Sequence, residues 1–304
     1  MRNKFADTLY KIGKKDKKIF ILVADISPAG SVQKFRDEFP DRFINCGVAE
    51  QSMVGIAAGL AMDGMRPFCY TIATFSLFRP YEMIRVDLCY QNLPVTIIGM
   101  GAGLIYNTLG ATHQTYEDIA VATALPNMQV LAPCDPLEME KAILWCANYS
   151  KSPTYVRLGK VGEPNLTEDA LDKFEIGKIR YIKKGKDYGL ISYGTILNYC
   201  LELDILLGKK GFENSIVSCH TLKPLDEKGL IKFLKSHNKI VCLEEHVKAG
   251  GLGEKLKNLA FDNKINVKFY HYHLKDEFIH FYGSYLKLLQ RHGIDLKRIQ
   301  KEIT

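Results

Sequence analysis

Short apolar runs alternate with amphipathic stretches along almost the whole chain, and this alternation constrains the fold more than any other feature. "KIFILVAD", "FINCG", "PFCYTIA", "PVTIIGM", "MQVLAP" and "TYVRL" read as buried strands of a parallel sheet. Between them lie helical stretches: the one beginning near Glu50, then "FSLFRPYEMIRVDLCYQ", "QTYEDIAVATAL" and "DPLEMEKAILWCANY". Asp135 is a good N-cap for the last of these, with Pro136 in its first turn. The expectation is an open-sheet α/β domain over residues 1–162. Residues 163–177 are polar, hold no clear buried element and read as a linker. The pattern resumes over 178–304 with "YGLISYG", "NSIVSCHTL", "NKIVCLEEH" and "NVKFYHYHL", a second and smaller α/β domain with a helical tail.

Composition excludes several function classes. No apolar run reaches the roughly 18 residues of a membrane helix, and the N-terminus lacks an apolar secretory core. A cytoplasmic protein without membrane partners is expected. The eight cysteines never form C-x-x-C, and several sit in apolar runs where a thiol packs as a small hydrophobe. The net charge of +7 is scattered over "KKDKK", "YIKKGK" and "LGKKGF", which suits an anionic small substrate. No stacking aromatic motif accompanies those bases, so nucleic acid is not expected.

The stretch "INCGVAEQSMVGIAAGLAMDG" places one carboxylate, Glu50, ahead of a helix of small and apolar residues. A first-turn glutamate can simply meet the positive end of the helix dipole. Gly47-x-x-Glu50 also has the spacing of a capping box, without the hydroxyl that completes one. The position suggests more. Ligands of open α/β sheets bind beyond the carboxyl ends of the strands, and Glu50 follows "FINCG". The next unit puts Phe75, Phe78 and Tyr81 three apart, on one face of a helix, although core packing is the commoner use of such a trio. The unit after that ends in a glycine-containing loop, "GMGAGLIYNTLGATHQ", with His113 near its close. An acid, an aromatic plate and a histidine on one rim suit a flat heteroaromatic ring, stacked on an aromatic and bonded at one nitrogen by a carboxylate.

"CGVAEQSMVGIAAGLA", "ATFSLFRPYEMIR", "GATHQTYEDIAVATALPNMQVLAPCDPLE" and "EEHVKAGGLG" strongly resemble the C-terminal half of transketolases and of deoxyxylulose-phosphate synthases. The resemblance covers essentially the whole chain, as a thiamine-diphosphate pyrimidine-binding domain followed by a transketolase C-terminal domain. It implies that Glu50 hydrogen-bonds N1′ of the cofactor's aminopyrimidine and so promotes loss of the thiazolium C2 proton. It further implies that Phe78 stacks on the pyrimidine, with Phe75 and Tyr81 completing the pocket and Asp25 nearby. His113 would face the substrate, and Arg157 in "YVRLGK" would hold its phosphate.

Family members hold the cofactor's diphosphate through a divalent metal on a Gly-Asp-Gly motif and a later asparagine. Asp63-Gly64 with Asn92 is the nearest lookalike here, but Met62 replaces the first glycine and the dipeptide ends a helix instead of following a strand. Metal ligands, for Mg2+ or Ca2+, are therefore expected on another polypeptide. Gly55, Ala57, Ala58, Gly59 and Ala61 would allow close helix packing against it. The resemblance thus points to one subunit of a split transketolase, an α2β2 assembly with a diphosphate-binding partner. Leu109 stands where the family carries an acid that reads an acceptor hydroxyl, and Gly101 where a second substrate histidine is usual, so an altered sugar acceptor is expected. Decarboxylating relatives, such as a 2-oxo acid dehydrogenase β subunit, and a non-catalytic partner subunit remain as alternatives. "HYH" at 271–273, "AGGLGEKL" and "EEH" at 244–246 are read as structural.

Overall fold

The computed structural model describes residues 1–26, 31–160 and 162–304. The first sheet is built from β1 Ile19–Val23, β2 Phe43–Asn45, β3 Arg66–Ile72, β4 Thr96–Met100, β5 Gln129–Leu131, β6 Thr154–Leu158 and β10 Thr221–Lys223. These seven strands lie in the order β10-β5-β6-β4-β3-β1-β2. All neighbours run parallel except β10 on β5. Every one of the six apolar runs expected as strands forms one. β4 and β6 are buried at every position, as a sheet covered on both faces requires.

The covering helices are α1 Arg2–Gly13, α2 Ser31–Glu38, α3 Glu50–Met62, α4 Ala73–Leu77, α5 Tyr81–Met83 running into a π-helical stretch Ile84–Tyr90, α6 Asp118–Ala124 and α7 Pro136–Asn148. Asp135 caps α7 by accepting from the Glu138 N–H. "FSLFRPYEMIRVDLCYQ", expected as one helix, breaks between Leu77 and Tyr81. Pro80 is the cause, since it offers no N–H and disfavours helical backbone at Arg79 before it.

The second sheet is built from β7 Arg180–Lys183, β8 Tyr188–Ser192, β9 Ser215–Ser218, β11 Lys239–Val247 and β12 Lys268–Leu274. Its order is β12-β11-β8-β9-β7, with β7 antiparallel to β9 and the other neighbours parallel. Around it lie α8 Leu197–Gly208, α9 Glu227–Lys235, α10 Leu252–Asp262, α11 Tyr285–Arg291 and α12 Leu296–Ile303. "NSIVSCHTL", expected as one strand, divides after Ser218, and its second half leaves this sheet to become β10 at the edge of the first. The Ala132 N–H donates to the His220 carbonyl and the Cys219 N–H to the Ser192 carbonyl, so the two sheets are stitched by backbone.

Residues 162–176 form no helix or strand, but they are fastened. Leu166 N–H, Thr167 N–H and the Thr167 hydroxyl all donate to Asp135 Oδ2 at 2.8 Å. All eight cysteines are free, and all but Cys46 are buried. Burial pushes the Cys146 thiol up to about 12, as expected of a thiol used as a hydrophobe. Among the described residues no helix is long and apolar enough to cross a membrane.

Candidate active site

β2, β1, β3 and β4 lie side by side, so their C-terminal ends share one rim. Glu50 stands there as the first residue of α3. Its side chain does not cap the helix: Ala49 is the N-cap, without a side-chain bond, and the helix opens by backbone alone. The carboxylate is only 3% exposed and turns the other way, accepting from Arg79 Nη1 at 3.1 Å on both oxygens. This excludes a side-chain cap, although Glu50 still stands in the first turn where the helix dipole favours an acid. Among the described residues its carboxylate is met by a side chain only from the half-exposed Arg79.

Arg79 is half exposed and lies 4.3 Å over the Phe75 ring. Phe75 in turn meets His113 edge-on at 5.3 Å, and His113 meets Tyr106 at 6.1 Å. Glu50, Arg79, Phe75, His113 and Tyr106 therefore form one continuous line along the rim. The Arg79 guanidinium is 46% exposed, so it can return to water when a ligand donor takes its place on the buried Glu50.

The aromatic trio divides. Phe75 faces the rim, whereas Phe78 and Tyr81 are half-buried against the core under α3, and the Tyr81 hydroxyl donates to the Val121 carbonyl at 3.1 Å. The break at Pro80 removes the common helical face that their spacing implied. Asp25 is exposed at the end of β1 with φ 48°, its N–H donating to Asn45 Oδ1. The Ser27–Gly30 segment that follows lies outside the described residues.

His113 belongs to a loop closed at its base by Gly103 and Thr115, which exchange backbone hydrogen bonds of 2.6 and 3.0 Å. Leu109 is 45% exposed on this loop, and the Thr112 hydroxyl lies 2.9 Å from His113 Nδ1. Gly101 has φ 69°, and a Cβ there would collide with the Tyr106 ring. That explains the glycine physically: the backbone is left-handed and the side-chain space is already filled.

Arg157 is anchored mainly from within the protein. It is 3% exposed on β6, donates from Nε to Asp118 Oδ2 at 3.0 Å, and from Nη2 to the carbonyls of Glu245 at 2.8 Å and Thr115 at 3.4 Å. Tyr155 donates to the same Asp118 oxygen. Nε and Nη2 are thus engaged inside the protein, while Nη1 lies beside Gly194 at a small pocket that Ala102, Gly159 and Thr195 also line.

The small-residue helix also divides. Ala57, Ala58 and Ala61 pack in the chain's own core, while Gly55 and Gly59 lie on the outer face with Ile56 and the 71% exposed Met62. A Cβ at either glycine would meet nothing within 4 Å. Val48, just before the helix, is likewise exposed.

Among the motifs set aside, "AGGLGEKL" opens α10, but Glu244 already occupies the helix start by accepting from Leu252 and Gly253 N–H at 2.8 and 3.0 Å. Glu244 also takes His271 Nε2 at 2.5 Å and the Tyr193 hydroxyl at 3.1 Å. The buried Cys242–Glu244–His271 group is thereby satisfied without an ion.

Sequence reasoning missed Arg79 and Gln114. Arg79 lies inside a quoted motif, but nothing in its spacing points at Glu50. Gln114, next to His113, is buried with both amide atoms unpaired among the described residues. Unpaired polar groups on a rim beside a buried carboxylate and aromatic rings fit a polar, flat ligand.

Comparison with known proteins now adds to this geometry. Residues 1–162 match the family model "Transketolase, pyrimidine binding domain" and residues 177–299 match "Transketolase, C-terminal domain". A protein of Phocaeicola vulgatus, named as one of the subunits of an apulose-4-phosphate transketolase, is 31% identical over 300 residues, covering 99% of this chain and 95% of that one. "Putative transketolase C-terminal section" of Methanocaldococcus jannaschii is 36% identical, covering 100% and 95%. "1-deoxy-D-xylulose-5-phosphate synthase" of Gloeothece citriformis is 34% identical over 90% of this chain but only 43% of its own length. A solved structure described as "Split gene transketolase, inactive beta4 tetramer" superposes with a TM-score of 0.86 at 31% identity, covering 99% of this chain and 96% of that one. The transketolase of Campylobacter jejuni shares the fold at a TM-score of 0.80 and 20% identity, this chain covering 46% of it.

Proposed function

This chain belongs to the transketolase family, and on that premise we propose that it is the pyrimidine-binding subunit of a two-chain transketolase. The enzyme moves a two-carbon ketol unit from a ketose phosphate to an aldehyde acceptor. It works with a diphosphate-binding partner in an α2β2 assembly, and the partner carries the Gly-Asp-Gly ligands for Mg2+ or Ca2+. The observation that carries the reading is Glu50: a buried carboxylate at a helix start, turned away from its own helix and met only by a displaceable arginine among the described residues.

Bound thiamine diphosphate supplies the carbanion chemistry of carbon–carbon cleavage. This chain's residues would hold and orient it. Glu50 holds the proton shared with pyrimidine N1′, and Arg79 gives up the carboxylate as it does so. Phe75 would wall the ring and exclude water from the rim side, with Phe78 and Tyr81 backing the pocket from the core and Asp25 at the neighbouring strand end. His113 faces the substrate, steadied by Phe75 and Tyr106, and passes a proton at a substrate hydroxyl. Leu109 cannot accept a hydrogen bond from a sugar hydroxyl, so the acceptor differs from that of ordinary transketolases. Apulose 4-phosphate is the first candidate to assay, since a relative covering 99% of this chain carries that name.

The outer face of α3 supports the two-chain reading: glycines and exposed apolar residues lie together where another subunit can approach closely. The relative solved as an inactive beta4 tetramer supports it too. The test is reconstitution with a chain bearing Gly-Asp-Gly and a downstream asparagine. Ketol transfer without carbon dioxide is expected, with ribose 5-phosphate a poor acceptor. Carbon dioxide release would assign the chain to the decarboxylating branch instead.

A further inference from the structure

"EEH" at 244–246 lies on β11 of the second sheet, yet its middle residue reaches the loop that carries His113. We propose that Glu245 is a positioning residue for the loop spanning residues 103–115, setting where His113 and Leu109 stand on the rim.

The geometry is concentrated at the loop's base. Glu245 is fully buried, and its Oε1 accepts the Leu104 N–H at 2.6 Å. The carboxyl group packs against Gly103, whose φ is 74° and whose missing Cβ would collide with it. Gly103 is paired by backbone to Thr115, so holding residues 103 and 104 fixes one arm of the loop. The other arm is held from the same place. The Glu245 carbonyl accepts Arg157 Nη2 at 2.8 Å, and the same nitrogen reaches the Thr115 carbonyl at 3.4 Å. Neighbouring residues continue the grip, since the Val247 N–H donates to the Tyr116 carbonyl and the Ala120 N–H to His246 Nε2. Farther out, Asn107 Nδ2 donates to the Gly283 carbonyl at 2.5 Å.

The carboxyl group is also sensitive to protonation. Facing it are Arg157 from β6, Asp118 from α6, Tyr285 from α11, Tyr199 from α8 and the Leu104 N–H. Burial pushes its pKa from 4.5 up to about 7, against the opposing pull of Arg157 and the Leu104 N–H. An acid whose pKa is raised in the closed state stabilises that state fully below its hydrated pKa. The stabilisation is lost as pH rises toward the closed-state value. Opening of the loop base therefore becomes easier between pH 4.5 and about 7 and levels off above.

The effect on the substrate side rests on the transketolase reading, whereas the hold on the loop does not, and the test separates them. Hydrogen exchange of residues 101–116, corrected for intrinsic rates, is measured on the full chain across that pH range for wild type, Glu245→Gln, Glu245→Ala and Asn107→Ala. Wild-type protection at Leu104 should fall by up to about tenfold per pH unit within the window. Glutamine keeps the acceptor and loses the proton, so E245Q should stay protected with a flat profile. E245A should lose protection at every pH by about tenfold or more. In the reconstituted complex, with apulose 4-phosphate as the probe substrate, E245A should lower kcat/KM about tenfold. C2 proton exchange of bound thiamine diphosphate should not change, and E245Q should restore the rate. Wild-type protection in E245A, or an unchanged pH profile in E245Q, overturns the proposal. If E245A does not fold, the flat profile of E245Q and loosening of the loop in N107A still decide it. A wild-type complex without ketol transfer would overturn the functional reading while leaving the exchange result intact.

Discussion

At the residue scale, burial decides which side chains are free to do chemistry. Arg157 and Arg79 look alike in the sequence, each a basic residue inside a family motif. Arg157 is buried on Asp118, and breaking such a pair costs about 3–5 kcal/mol. Arg157→Met should therefore lower the melting temperature by on the order of 10 °C, with little selective rise in KM for phosphorylated substrates in the folded fraction. A near-normal melting curve together with a large rise in KM would return the phosphate-binding role to Arg157. Gly101→Ala is expected to destabilise the chain by about 1–3 kcal/mol, from left-handed backbone and crowding against Tyr106. Denaturant unfolding reads this directly, and a stability equal to wild type would show that the loop can rearrange. Glu50, His113 and Leu109 were legible as candidates because each falls at a strand end or in a loop after one. Arg79, Gln114 and Glu245 were not. Their significance lies in contacts 29 to 141 residues apart or in missing partners, which no local pattern encodes.

At the scale of elements, six of the first sheet's seven strands were readable, most of them because a strand buried on both faces must be apolar throughout. β7 was missed for the converse reason: it is a half-exposed edge strand ending in a lysine, and nothing in "RYIK" separates it from the linker before it. The strand expected over 214–222 divides because its two halves pair with different sheets, a tertiary choice. The broken helix at Pro80 was signalled by its proline, although the periodicity across it suggested continuity. α3 yields the sharpest prediction here. Its core face is fixed by Ala57, Ala58 and Ala61, so the outer face can be altered without unfolding the chain. Gly59→Arg should leave the melting temperature within a few degrees of wild type. It should also weaken assembly with the diphosphate-binding partner by about tenfold or more in sedimentation or light scattering. Normal assembly would place the interface elsewhere.

At the scale of the whole molecule, two sheets are joined by β10 and by the grip of β11 on the His113 loop, behind one rim. The rim presents a carboxylate, aromatic rings and a histidine. On our reading the metal and the diphosphate are held by the partner. The account therefore stands on proton transfer by Glu50 within a shared site. The most direct measurement is deuterium exchange at C2 of thiamine diphosphate, which needs no knowledge of the acceptor. This chain is titrated into the Gly-Asp-Gly partner at fixed cofactor and divalent metal. Exchange should accelerate to saturation at one chain per partner, be absent with this chain alone, and fall about a hundredfold in Glu50→Gln while cofactor affinity changes far less. Acceleration by this chain alone, or a wild-type rate in Glu50→Gln, would contradict it.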